Sequence, residues 1–343
     1  MAYQNVGTPR FYVDYLSYWH SQGLLRGVGT YSWYSNDLID GSLFGLNPSN
    51  TTEITANVGN NAYFWLVFNF YNHAQTVINY ETIPNAKMFS GVLGHNFASL
   101  GNDYTSRETN IEGSGSEGTV GDGIINPLNE LSSLDGFTII PHTPNTTETS
   151  GIHFKIFATQ GDVFNFGSFV YGNYYDMPHS PDLSLTMSHE YDGLKTVETK
   201  GGAILSDMRY HKVPMWGENK EAWQLGDWQQ LNSGRRVWDL SFSYLSASDI
   251  EPYSHSWYEW TSDTDMGIGA TEPAQDNWFT NVLYYTNGGQ LPFIFQPDKD
   301  ATYDEDTYTV PEFAICRFDM DTFTRTQVSS NVYNMKIKIV ESW

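Results

Sequence analysis

From Val237 to Leu245 the chain alternates large apolar and polar side chains, with Trp238, Leu240, Phe242 and Tyr244 set against Asp239, Ser241 and Ser243. A period of two is the mark of a strand with one buried face and does not fit the 3.6-residue turn of a helix. The pattern returns near the end, where Tyr333, Met335, Ile337 and Ile339 share one face and Asn334, Lys336 and Lys338 the other. The two lysines suit a sheet edge that must repel stray pairing. Residues 62–70 read instead as a continuous apolar run behind the turn formers Gly59, Asn60 and Asn61, as expected for a strand buried on both faces. Further strand patterns lie at 136–140, 152–156 and 163–167. With 23 Tyr, 20 Phe, 30 Gly and 14 Pro, the side chains favour pleated surfaces and turns. The expected fold class is all-β.

One helix is expected. Thr8 and Pro9 resemble a cap and first helical position, and Tyr12, Tyr15, Leu16 and Trp19 recur at i, i+3, i+4 and i+7 before Gly23. A chain of 343 residues exceeds the ~250 at which single cores stop growing, so two β-sandwich or barrel-type domains are expected. Met177 to Asp182 holds two prolines and reads as a stiff linker. The resulting division is an N-terminal arm over 1–39 carrying the helix, a β domain over 40–176, the linker over 177–182 and a second β domain over 183–343.

The balance of 40 acidic against 17 basic residues gives a formal charge of −23, which repels phosphate backbones and anionic membranes, so no nucleic-acid partner is expected. The apolar run at 62–68 is far below the ~20 residues that cross a bilayer as a helix. The first residues lack the basic and apolar regions of a secretory signal, which implies synthesis and retention in a cytoplasm. The single cysteine, Cys316, lies in the apolar run 313–318 and reads as a small buried hydrophobe.

Signatures of chemistry are weak. No two of the nine histidines stand at HxxxH or HxH spacing, so no metal ligand set and no cofactor is expected. The Gly, Ser and Glu-rich stretch at 106–129 lacks the GK[ST] ending of a phosphate loop, and Gly113-Ser114-Gly115 is out of register for a nucleophile elbow. No catalytic residue is assigned. His95 and Asn96, after Gly94, form a polar corner able to bond local backbone or a ligand. Trp19 on the helix, with Trp216, Trp223, Trp228, Trp257 and Trp260 in polar sequence, are candidates for a subunit interface, where aromatic residues are enriched.

Two stretches resemble known families. Residues 88–97, 152–156 and 169–172 together resemble a galactose-binding-like, discoidin-type jelly roll of the kind appended to phage tail proteins, covering roughly 40–176. Residues 234–246, 291–298 and 314–318, with the final strand ending at Glu341, resemble the C-terminal pattern of phage tail-tip and distal-tail proteins, covering roughly 183–343. The N-terminal residues 3–11 resemble virion proteins of marine tailed phages. The resemblance implies a non-enzymatic virion protein made in the host cytoplasm: an adaptor ring of the tail or baseplate, a homo-oligomer bound to other virion proteins. Fold likeness alone does not give sugar binding. The alternatives are a module binding host-surface glycan, a capsid decoration or neck protein, and, lower still, a polysaccharide-degrading enzyme using two cleft carboxylates.

Overall fold

The structure is a computed structural model that describes residues 6–23, 25–31, 44–46, 52–55, 62–70, 87–96, 107–110, 136–142, 151–158, 161–183, 185–190, 195–207, 235–252, 276–301 and 313–342. The chain is all-β. In its first half lie β1 (Arg10–Asp14), β2 (Leu25–Tyr31), β3 (Thr52–Thr55), β4 (Ala62–Phe70), β5 (Met88–His95), β6 (Arg107–Asn110), β7 (Gly136–His142), β8 (Gly151–Ala158), β9 (Val163–Phe166) and β10 (Ser168–Asp176). The second half adds β11 (Thr186–Glu190), β12 (Lys195–Glu198), β13 (Ile204–Asp207), β14 (Arg235–Ser246), β15 (Phe293–Gln296), β16 (Ala314–Phe318), β17 (Arg325–Ser329) and β18 (Val332–Glu341). Helical pieces are short: α1 (Tyr15–Ser21), α2 (Ala247–Ile250) and a π-helical turn, Phe279–Leu283.

One ten-stranded antiparallel sheet dominates, in the order β11-β14-β18-β16-β15-β1-β10-β5-β7, with β17 also on β18. Smaller sheets are β2-β4-β8-β6, β3-β9 and the hairpin β12-β13. The segment 177–182, expected as a linker between two domains, does not interrupt the large sheet. β1 stands between β10 and β15, pairing Phe11 with Tyr175 on one side and with Phe295 on the other, so strands from both halves share one ladder. The segment is itself pinned down: Met177 N–H donates to Pro9 O at 3.0 Å, and Asp182 N–H to Ser241 O at 2.7 Å.

Alternation sorts the core to the two faces of this sheet. Phe11, Val13, Trp238, Leu240, Phe242, Phe293, Phe295, Ile337 and Ile339 form one cluster, together with Leu16 and Trp19 of α1 and Val282 of the π-turn. Tyr12, Phe89, Leu93, Val170, Ile294 and Ile315 form another. β1 is buried on both sides, which explains why Phe11-Tyr12-Val13 is apolar without a break.

The helix begins later than its apolar spacing suggests. Residues 10–14, including Tyr12, are strand, and the cap is Asp14 rather than Thr8. The Asp14 carboxylate accepts from Leu16 N at 3.2 Å, Ser17 N at 3.0 Å and the Ser17 hydroxyl, and also from Tyr171 N of β10 at 3.0 Å. One side chain thus caps α1 and ties it to the sheet. Gly172 makes this junction possible, because a Cβ there would meet Val13 O at 1.9 Å. Lys336 and Lys338 do not guard an edge: β18 is interior, flanked by β14 on one side and by β16 and β17 on the other.

Burial pushes the Asp14 carboxyl up to about 6 from its ordinary 3.8, against the pull of its hydrogen bonds. The folded chain therefore holds this proton more tightly than the unfolded one. Its contribution to stability is fully present below the ordinary value and is lost as pH rises through about 6. Urea titrations between pH 4 and 6 are expected to show a falling component of up to ~1.4 kcal/mol per pH unit that Asp14→Asn abolishes. An identical slope in the variant would exclude Asp14 as its source.

Candidate assembly surface

The flank of the large sheet that ends in β11 carries the features least explained by the chain's own packing. It begins just after the buried Pro181. The Ser243 hydroxyl donates to the Asp182 carboxylate at 2.7 Å, so the chain runs beside β14 and leaves Leu183 fully exposed. β14 pairs regularly with β18 from Val237 to Phe242, then the register shifts before Leu245. This bulge turns Tyr244 outward: the ring expected to face the core is 82% exposed, and Leu245 takes the inner position at 1%. Tyr244 has φ 64, and its N–H donates to Asn334 Oδ1 at 3.4 Å.

A bulky residue at positive φ is strained by about 1–2 kcal/mol, and such strain persists where the side chain is needed in that direction. Tyr244→Gly is expected to leave the single chain equally stable or stabilise it by about 1 kcal/mol in thermal or urea unfolding. A loss above ~1 kcal/mol would show that the ring supports the fold rather than a partner.

β11 continues from Leu183 and pairs with β14 without a break, Thr186 opposite Asp239 through Glu190 opposite Arg235. Met187 packs against the core, while Thr186, Ser188, His189 and Glu190 are exposed. Among the described residues, β11 and β7 are the two ends of the sheet order. β7 is blunted by Pro141, and the side strand β17 by a register shift between Gln327 and Ser329. β11 has neither device.

Beyond β11 comes the hairpin β12–β13, in which Val197 pairs with Leu205 and Glu198 with Ile204. Its turn is closed by Thr199 N–H to Ala203 O at 2.9 Å and Gly202 N–H to Thr199 O at 2.8 Å, with Gly202 at φ 78. Val197, Ile204 and Leu205 are all exposed. Two-stranded hairpins are marginal alone in water, and apolar side chains on one invite a covering surface. The segment 195–207 holds two basic residues, Lys195 and Lys200, and two acidic ones, Glu198 and Asp207, within a chain of charge −23.

The residues singled out from sequence fare differently. Trp19, at 4% exposure, packs on Tyr15, ring centroids 5.2 Å apart, inside the chain's own core. His95 is buried opposite Gly136, after Gly94 at φ 70. Asn96 donates to Val163 O and accepts from Asn165 N, both at 3.0 Å, which is the work of a structural corner anchoring β9. Trp216, Trp223, Trp228, Trp257 and Trp260 lie outside the described residues. Cys316 is fully buried, and that burial raises its thiol well above the ordinary range, with the Glu341 charge adding to the effect. Among the described residues no group of three or more His, Cys, Asp or Glu could hold a metal ion, and no helix is long and apolar enough to cross a membrane.

The flank itself was missed in the sequence. Its one signal is Gly201-Gly202 between two short runs containing Val197 and Ile204-Leu205, a hairpin pattern. No protein-family model, curated protein or solved structure matches the chain.

Proposed function

We propose that the chain is a non-enzymatic structural subunit of a larger assembly, and that the assembly is the virion of a tailed bacteriophage, with the chain as an adaptor ring of the tail tip or baseplate. The observation that carries the structural reading is the β11 flank, where Leu183 is fully exposed and Tyr244, at φ 64, is 82% exposed; the hairpin β12–β13 separately exposes Val197, Ile204 and Leu205. Single exposed apolar residues are ordinary, but several gathered along one sheet edge mark a contact surface. The placement in a phage tail rests on the resemblance of residues 88–97, 152–156, 169–172, 234–246, 291–298 and 314–318 to tail-protein patterns. Its partners are then other copies of itself and neighbouring virion proteins, met after synthesis in the host cytoplasm.

The test is to raise antibodies to the purified chain and locate them on negatively stained virions from a phage that encodes it. Gold label at the distal tail is the expected result. Virions without label and without the chain by mass spectrometry would overturn the reading, and a saturable, sugar-specific change in tryptophan fluorescence would move it to glycan binding.

A further inference from the structure

We propose that Asn287 is a self-modifying site of this chain: its side-chain amide is open to attack by the backbone nitrogen of Gly288, and the fold holds that reaction back until the turn at 284–289 opens. The inference is independent of the assembly reading.

The sequence supplies the reactive pair. Of all the asparagines in the chain, only Asn287 is followed by glycine. A side chain on the following residue shields the backbone nitrogen next to an asparagine, and glycine, without a Cβ, leaves that nitrogen bare. In the reaction the Gly288 nitrogen gives up its proton and forms a bond to Asn287 Cγ. The Cγ–Nδ2 bond breaks, ammonia leaves, and a cyclic imide closes. Water then adds to one of the two imide carbonyls and opens the ring. One opening gives aspartate; the other gives isoaspartate, in which the main chain runs through the former side chain and is longer by a carbon. Gly288 is exposed, so water reaches the ring.

The structure supplies the restraint. Asn287 and Gly288 follow the π-turn in left-handed backbone, at φ 51 and φ 69, a region that both residue types accept. The attacking nitrogen is occupied there, because Gly288 N–H donates to Leu283 O at 2.8 Å. Neighbouring bonds close the same turn: Asn287 N–H to Tyr284 O at 3.1 Å, Gly289 N–H to Thr286 O at 3.1 Å and Leu291 N–H to Thr286 O at 2.9 Å. The amide under attack is held as well. Its Nδ2 donates to Ser21 Oγ at 3.3 Å and its Oδ1 accepts from Gln22 Nε2 at 3.4 Å, both at the C-terminal end of α1. Beside these contacts Tyr15 and Tyr18 of α1 pack on Tyr285, with ring centroids 4.3 Å and 5.2 Å apart. Ring closure needs the nitrogen free and the side chain turned back onto its own main chain, so turn and helix must part first. The change then runs one way. Isoaspartate displaces the Gly288 nitrogen along the chain, and its bond to Leu283 O does not re-form in the same geometry.

The experiment keeps the full chain at mildly alkaline pH, natively and in concentrated urea, and follows residues 284–291 by peptide mapping for the mass gain of amide loss and for isoaspartate. Product at Asn287 is expected in both, forming at least about tenfold more slowly in the native chain because it waits on local opening. Ser21→Ala combined with Gln22→Ala removes the contacts from α1. Both residues are exposed, so the fold should stand, and an unchanged melting curve verifies it. The double variant should speed the native reaction by about two- to tenfold, the worth of two weak hydrogen bonds, and leave the rate in urea unchanged.

No product at Asn287 in urea overturns the site. Equal rates in the native chain and in urea overturn the restraint by the fold, a comparison that stands without any variant. A native rate indifferent to the double variant overturns the part given to α1.

Discussion

Replacing Phe11 by Ala is expected to destabilise the chain by about 3–5 kcal/mol in urea. The ring is fully buried in an inner strand of the large sheet, with Phe295 at 5.4 Å, Phe293 at 5.6 Å, Phe318 at 6.1 Å and Trp278 at 6.4 Å between centroids. All four partners come from the second half of the chain, while the backbone of β1 is bound to β10 of the first half. The loss should therefore appear in probes of both halves. A loss below ~1 kcal/mol, or one confined to one half, would mean that β1 does not unite them.

The second large effect is expected at Glu341. Its carboxylate, 3% exposed, accepts from Arg236 Nη2 at 2.8 Å, from Nε at 3.2 Å and from the Arg236 backbone N–H at 2.8 Å. Arg236 also donates to Phe313 O at 3.2 Å and lies over the Trp238 ring at 5.2 Å. Glu341→Ala removes one partner and leaves a guanidinium in a largely buried place, which costs about 3–5 kcal/mol. Replacing both members, Arg236→Met with Glu341→Met, should recover most of that loss, because the penalty lies in the uncompensated charge rather than in a missing attraction. A double variant as unstable as Glu341→Ala would show that the pair itself, through its bonds to Phe313 and the backbone, holds β14 to β16 and β18.

Alternation made β18 and the Val237–Phe242 part of β14 legible, because each keeps one period there, and an unbroken apolar run marked β4. The start of the chain was harder. Tyr12, Tyr15, Leu16 and Trp19 fit a helical period, yet Tyr12 is in a strand buried on both faces and Leu16 in a helix. Strand and helix follow each other directly at Asp14, and apolar spacing has no means of marking a cap formed by a buried acid. Tyr244 failed for a different reason: one extra residue in a bulge reverses the direction of a side chain, and nothing in the alternation of 237–245 announces it. β11, with Thr, Met, Ser, His and Glu, carries almost no pattern, since a strand with four of its five residues exposed buries too little to impose a period. Pairing across the segment 177–182 was invisible because it depends on β1 meeting strands far away in sequence.

That remoteness governs how the chain reaches its native state. Arg10 bonds Asp176 across 166 residues, and Tyr12 bonds Gln296 across 284. During synthesis one side of β1 can pair only once β10 has been made, about halfway along the chain, and the other only once β15 has. Loops of that length close slowly, and topologies dominated by distant pairings fold on the slow side of the known range. Between those two pairings an apolar strand keeps one edge unpaired, and that interval is when aggregation would compete most strongly.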